Sequence, residues 1–141
     1  MASCVVLTMP EKEPEIGATM NDGVLQAWEI YSQLKLKAEL VVLSACDTGR
    51  GANIAGEGIV GLTRALQYAG ARSIVASQWS VADESTRRLM VAFHEKLRQG
   101  LAKDEALRQA MAVVRRDPRT AHPYFWAPFF LTGTWAASPW R

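Results

Sequence analysis

The stretch Leu40–Gly51, LVVLSACDTGRG, constrains this chain more than any other. Four apolar residues, Leu40 to Leu43, run unbroken into small residues, a cysteine and an acid, and Gly49 and Gly51 then turn the chain away. A short apolar run closed by a glycine-rich turn predicts a strand buried on both faces, the central parallel strand of an α/β sheet. Open α/β sheets hold their ligands at the carboxyl ends of such strands, and the spacing puts Cys46 there. A thiol in that position is a candidate nucleophile. Buried cysteine as plain packing is the competing explanation, because free cysteine is among the most buried residue types.

The rest of the chain supplies what such a strand needs around it. CVVLT (Cys4–Thr8) is a β-branched run and a predicted strand, followed by a charged, proline-bearing loop, MPEKEPEIG. Asn21 or Asp22 is a natural N-cap, and Val24, Leu25, Trp28, Tyr31 and Leu34 repeat at helical spacing, predicting a helix that ends near Leu34–Lys37. After the loop Asp47–Gly56, a second helix is predicted over about Glu57–Ala69, with Gly70 in the C′ position that glycine favours. SIVASQW (Ser73–Trp79) is a strand, and SVADE opens a third helix with Leu89, Met90, Phe93 and Leu97 inward, closed by Gly100. A fourth helix is predicted over Lys103–Arg116 and stops at Asp117-Pro118, since proline cannot continue it. APFFLTGT (Ala127–Thr134) is the last strand, read as parallel, and the tail from residue 136 is read as loose. The layout is α/β with right-handed crossovers.

Composition narrows the function. The 141 residues suit one domain with a real core, and 49% hydrophobic with 21% charged residues argues against disorder. A net charge of +2 is too mild to predict nucleic-acid binding, and apart from Arg87-Arg88 and Arg115-Arg116 the cations are scattered. No apolar run approaches the length of a membrane span, and the N-terminus does not have the pattern of a secretory signal. Cys4 and Cys46 show no CxxC or Cys/His metal spacing, so no metal is expected, and reduced thiols in a cytoplasmic protein are the default.

GEGIVG (Gly56–Gly61) is a literal G-x-G-x-x-G at the mouth of the second helix, with Asp83 about 20 residues on. This is the outline of a dinucleotide site. The ten residues between strand and fingerprint, and the carboxylate of Glu57 beside any phosphate, weigh against it, and no cofactor is expected. Asp83 also suits the first turn of a helix, where the dipole favours an acid. A thiolate nucleophile needs a base, and neither histidine reaches Cys46 in this layout. His94 lies about 11 residues into the third helix, roughly 16 Å from the strand end. His122 precedes a parallel strand and so falls at the opposite sheet edge. HPYFWAPFF then reads as a buried aromatic plug, with His122 in its core or rim.

Three segments, LVVLSACDTG, GEGIVGLTRALQYAGARSIVASQWSVAD and HPYFWAPFFLTGTW, together resemble the C-terminal part of a CHAT domain over about Ser3–Trp135. These are caspase-like domains, similar to separases and usually found behind tetratricopeptide repeats. The resemblance implies a three-layer caspase-like α/β fold with a central, mainly parallel sheet flanked by helices. Active members are cysteine endopeptidases with a His–Cys dyad acting on protein or peptide substrates. It implies Cys46 as nucleophile and as a backbone N–H donor of the oxyanion hole, Asp83 as the acid that receives a basic side chain, and Asp47 as a further substrate-binding residue.

The family's catalytic histidine lies in a His-Gly motif just upstream of the strand matching Cys4–Thr8. Met1 falls directly after that position, so the expectation is a single partial domain over 1–141 lacking the dyad base and the first strands, inactive alone. A non-catalytic interaction module of the same fold is the alternative. It would dock a repeat region or self-associate through an exposed sheet edge, with no membrane or nucleic acid involved.

Overall fold

The computed structural model describes residues 4–6, 24–43 and 55–136. The loop predicted over 9–17, residues 47–54 of the loop predicted over Asp47–Gly56, and most of the predicted tail, 137–141, lie outside the described residues, as do Cys46 and Asp47; Ala55 and Gly56 are helical.

Strand β1 (Cys4–Val6) pairs antiparallel with β2 (Val24–Gln26), Val5 opposite Leu25. The apolar pair Val24-Leu25, read from its spacing as helix, is therefore strand. The helix that follows, α1 (Ala27–Gln33), is correspondingly short. Its start is fixed by the Gln26 N–H, which donates to the Glu29 carboxylate at 2.7 Å, a first-turn acid satisfying an otherwise orphan donor. The CVV run thus belongs to a separate two-stranded sheet rather than to the main one.

The main sheet has the order β3-β4-β5, with β3 at Val41–Leu43, β4 at Ser73–Ser77 and β5 at Phe129–Gly133. β3 and β4 are parallel, Leu43 opposite Ala76, and are joined through α2 (Ala55–Tyr68). β5 is antiparallel to β4, with Ser77 opposite Phe129 and Ser73 opposite Gly133. This corrects the parallel assignment of the last strand. Two helices, α3 (Asp83–Arg98) and α4 (Lys103–Arg116), separate β4 from β5. The first carries the chain away from the carboxyl end of β4 and the second carries it back, so β5 has to enter from that same end.

The layers follow from the alternation along β4, where successive side chains point to opposite faces. Val75 packs with Leu89, Phe93 and Leu97 of α3, with Ala106, Leu107, Ala110 and Val114 of α4, and with Phe129. Ile74 and Ala76 pack on the other face with Ile30 of α1 and with Ile59, Leu62, Ala65 and Leu66 of α2. Two helices lie on each face of a three-stranded sheet, a three-layer α/β arrangement compatible with part of a caspase-like fold. Among the described residues β3 pairs on one side, and Val41, Val42 and Leu43 are half-buried.

Two turns require glycine. Gly70 has φ of 112°, and a Cβ there would lie 2.2 Å from the Leu36 carbonyl oxygen. Gly133 has φ of 92°, with a Cβ 2.2 Å from the carbonyl oxygen of Arg72. Both bring backbone against backbone where the chain enters or leaves the sheet.

Candidate functional site at the carboxyl edge of the sheet

Three strand ends meet at one edge of the main sheet. β3 leaves it after Leu43, β4 leaves it after Ser77, and β5 enters it at Phe129. The connection from β4 is short and well anchored. The Gln78 N–H donates to the Pro128 carbonyl at 3.1 Å, and the Val81 side chain is buried. Helix α3 then begins at Asp83. Its N-cap is Ala82, which can offer no side-chain bond, while Ser85 Oγ donates back to the Ala82 carbonyl at 2.8 Å.

Asp83 occupies the first position of α3 and is exposed. Its carboxylate makes no hydrogen bond or ion pair with any of the described residues. The capping role that its position suggests is thus not realised as a hydrogen bond, although the helix dipole still favours an acid there. Its neighbour Glu84 behaves differently. Arg87 donates to both Glu84 oxygens, at 2.8 and 3.1 Å, and that hydrogen bond holds the Glu84 carboxyl below its ordinary range. Of the two first-turn acids, Glu84 is committed to an arginine, and Asp83 has no partner among the described residues.

The segment before β5 closes over this turn. Pro123–Phe125 form one turn of 3-10 helix, and the Tyr124 N–H donates to His122 Nδ1 at 3.2 Å. Trp79 Nε1–H donates to the Tyr124 carbonyl at 3.1 Å, and the Tyr124 hydroxyl donates to the Ser80 carbonyl at 2.8 Å. Because β5 is antiparallel, His122 lies at the carboxyl edge and not at the opposite one. The predicted aromatic plug is buried only at its far end, at Pro128 and Phe129, whereas His122 and Tyr124 are exposed. His122 is still a strand removed from β3, because β5 pairs with β4 and adjacent strands lie about 4.8 Å apart.

Behind the turn, the two arginine pairs singled out in the sequence come to the same end of the helical layer. Arg88 Nη1 meets Asp117 at 2.5 Å, and Arg119 meets the same carboxylate at 2.9 Å. The Arg115 guanidinium lies 5.9 Å from the centre of the Trp126 ring. Hydrogen bonds from Arg119 and Arg88 push the Asp117 carboxyl strongly down, so this acid staples the start of α3 to the end of α4.

Of the predicted site residues, the structure places Asp83 at the carboxyl edge, and Cys46 and Asp47 lie outside the described residues. Gly56–Gly61 is helical throughout, since α2 begins at Ala55. The G-x-G-x-x-G is therefore not the strand-to-helix loop that a dinucleotide fingerprint needs. Among the described residues no cluster of His, Cys, Asp or Glu could hold a metal, and no helix is long and apolar enough to cross a membrane. Sequence reasoning missed Trp79 and Tyr124. The signal available was the pair of helices between β4 and β5, which brings residues 122–128 back to the end of β4.

The described residues form a three-layer α/β protein with one predicted site residue, Asp83, at the carboxyl edge of a parallel strand pair. The sequence matches the CHAT domain over residues 1–134, and the chain belongs to that family. It is 36% identical over 101 residues to tetratricopeptide repeat protein 28 of Mus musculus and 35% identical to that of Homo sapiens. Each match takes in 72% of this chain and 4% of the relative, so the chain spans a small part of the relatives' length. No solved structure matches it.

Proposed function

We propose that this chain carries the nucleophile half of a caspase/separase-like cysteine endopeptidase site. Cys46 is the nucleophile and a backbone donor to the oxyanion. Asp83 receives a basic side chain before the scissile bond, Asp47 is a further substrate-binding residue, and the dyad histidine is not among residues 1–141. One observation carries this reading: β3 and β4 are parallel and in register, Leu43 opposite Ala76. Leu43, the last described residue before Cys46, and Asp83 at the start of α3 therefore lie at the same sheet edge. An exposed carboxylate suits a guanidinium or ammonium partner. His94 is carried about 16 Å down α3 from Asp83, and His122 is separated from β3 by β4, so neither serves as the base. Without a base to take the thiol proton, the chain alone does not turn over peptides.

In this reading a tetratricopeptide-repeat region accompanies the domain, as the names of the relatives suggest, and the protein is cytoplasmic with reduced thiols. The test is hydrolysis of a fluorogenic peptide with arginine before the cut. No turnover is expected, and turnover abolished by Cys46→Ala would overturn the assignment of a missing base.

The half-buried edge of β3 favours a second reading, an interaction module that pairs another strand onto Val41–Leu43. Size-exclusion chromatography that gives a dimer, lost on Val42→Pro, would support it, and a monomer at all concentrations would refute self-association.

A further inference from the structure

We propose that Tyr124 is a positioning residue for Asp83, acting through the turn between β4 and α3. The proposal rests on the reading of Asp83 as the acid that receives a basic side chain. A carboxylate selects for a cation only if its backbone is held still, so what anchors the turn 78–82 bears on Asp83. Ala82 offers no side-chain cap. Among the described residues the turn is held by the Gln78 bond to Pro128, by the buried Val81 side chain, and at its helix end by the Ser85 hydroxyl and Thr86 N–H, which both donate to the Ala82 carbonyl.

Tyr124 adds two bonds from more than forty residues away, one on each side of the Trp79–Ser80 peptide. Its hydroxyl donates to the Ser80 carbonyl at 2.8 Å, and its own carbonyl accepts from Trp79 Nε1–H at 3.1 Å. Tyr124 is itself held from behind. Its N–H donates to His122 Nδ1 at 3.2 Å, and its ring meets Phe125 edge-on at 5.5 Å.

Burial does not explain the choice of residue, because Tyr124 is 47% exposed. A phenylalanine there would keep the ring and its contact with Phe125 and lose the bond to Ser80. What the hydroxyl contributes is a strut to a loop carbonyl three residues before Asp83. The two bonds run in opposite directions, Trp79 donating to Tyr124 and Tyr124 donating to Ser80, so each segment limits the motion of the other.

The test labels Cys46 in the full chain with two peptidyl chloromethyl ketones, one ending in arginine and one in norleucine. In each, the Cys46 sulfur displaces chloride, a C–S bond forms, and hydrogen chloride leaves. Mass spectrometry of the adduct gives the rate, which is divided by the iodoacetamide rate at Cys46 in the same variant. The wild-type chain is expected to prefer arginine, and Asp83→Asn to abolish the preference. Tyr124→Phe should reduce it by about threefold to tenfold, the share of one hydrogen bond. Trp79→Phe, which breaks the other bond independently, should reduce it similarly. A wild-type chain with no arginine preference, or an Asp83→Asn variant that keeps one, overturns the reading of Asp83 and the strut with it. A preference lost in Asp83→Asn but intact in Tyr124→Phe and Trp79→Phe overturns the strut alone.

Discussion

Lys103 Nζ donates to Ser73 Oγ at 2.8 Å, and the lysine side chain that makes this bond has no exposed surface. Ser73 Oγ in turn donates to the Thr134 carbonyl at 2.5 Å, and Glu39 Oε2 lies 4.0 Å from the ammonium. The first residue of α4 thereby ties together the start of β4, the residue just past β5 and the approach to β3, at the sheet edge opposite the candidate site. Lys103→Ala would leave a cavity and strip Ser73 and Glu39 of their shared partner. It is expected to cost about 3 kcal/mol, whereas Lys103→Met, which keeps the stem, should cost about half as much. Urea unfolding of the two variants checks the difference.

The glycines with positive φ should separate into two classes. Gly70→Ala and Gly133→Ala each push a Cβ to 2.2 Å from a backbone oxygen, so the chain must move, and a loss of about 3 kcal/mol or more is expected. At Gly100, with φ of 86°, a Cβ would meet nothing within 4 Å. Only the left-handed backbone penalty remains there, about 1 kcal/mol. Thermal denaturation of the three variants side by side tests the ranking.

Acid should destabilise the α3–α4 pair. Asp117 is held below the ordinary carboxylate range by its bonds to Arg119 and Arg88, and Glu105 is held at about 2 by Arg108 and then Gln109. A carboxyl whose folded value is depressed contributes stability that is fully present above its unfolded value, near 4. That stability is lost as pH falls through the folded value. The midpoint of thermal unfolding should therefore hold between pH 7 and 5 and fall from about pH 4 downward. In Asp117→Asn the fall below pH 4 should be shallower, and a curve parallel to the wild type would contradict the staple.

His122→Asn keeps an acceptor for the Tyr124 N–H while removing the imidazole. Because β4 stands between β3 and the strand that follows His122, the pH profile of Cys46 alkylation by iodoacetamide should stay within about twofold of the wild type. A tenfold slower reaction near neutral pH would restore His122 as the base.

The helical layers were legible because their signal is local. Periodicity predicts Lys103–Arg116, which is α4 as observed, and about Glu57–Ala69 against the observed Ala55–Tyr68. The hairpin was hidden because Val24 and Leu25 fit a helical face as well as a strand. What decides between them is their pairing with Val6 and Val5, a contact no window of sequence contains. The direction of β5 was misread for a different reason. A buried strand such as FFLTG looks alike from either end, and direction follows from whether one or two helices precede it. At the site, the position of Asp83 followed from the end of β4, while the clamp from Tyr124 depended on that reversed strand and was lost with it.

The segment from β4 to β5 is closed on itself. Its two strands run side by side over five residue pairs, its two helices share one core, and Lys103 and Asp117 bolt opposite ends. Among the described residues, the hydrogen bonds that hold Tyr124 and the turn before Asp83 are made within residues 72–135. Such a unit behaves as a single cooperative block in hydrogen exchange. Its amides should open together and last, so that the turn carrying Asp83 keeps its form until the whole block opens.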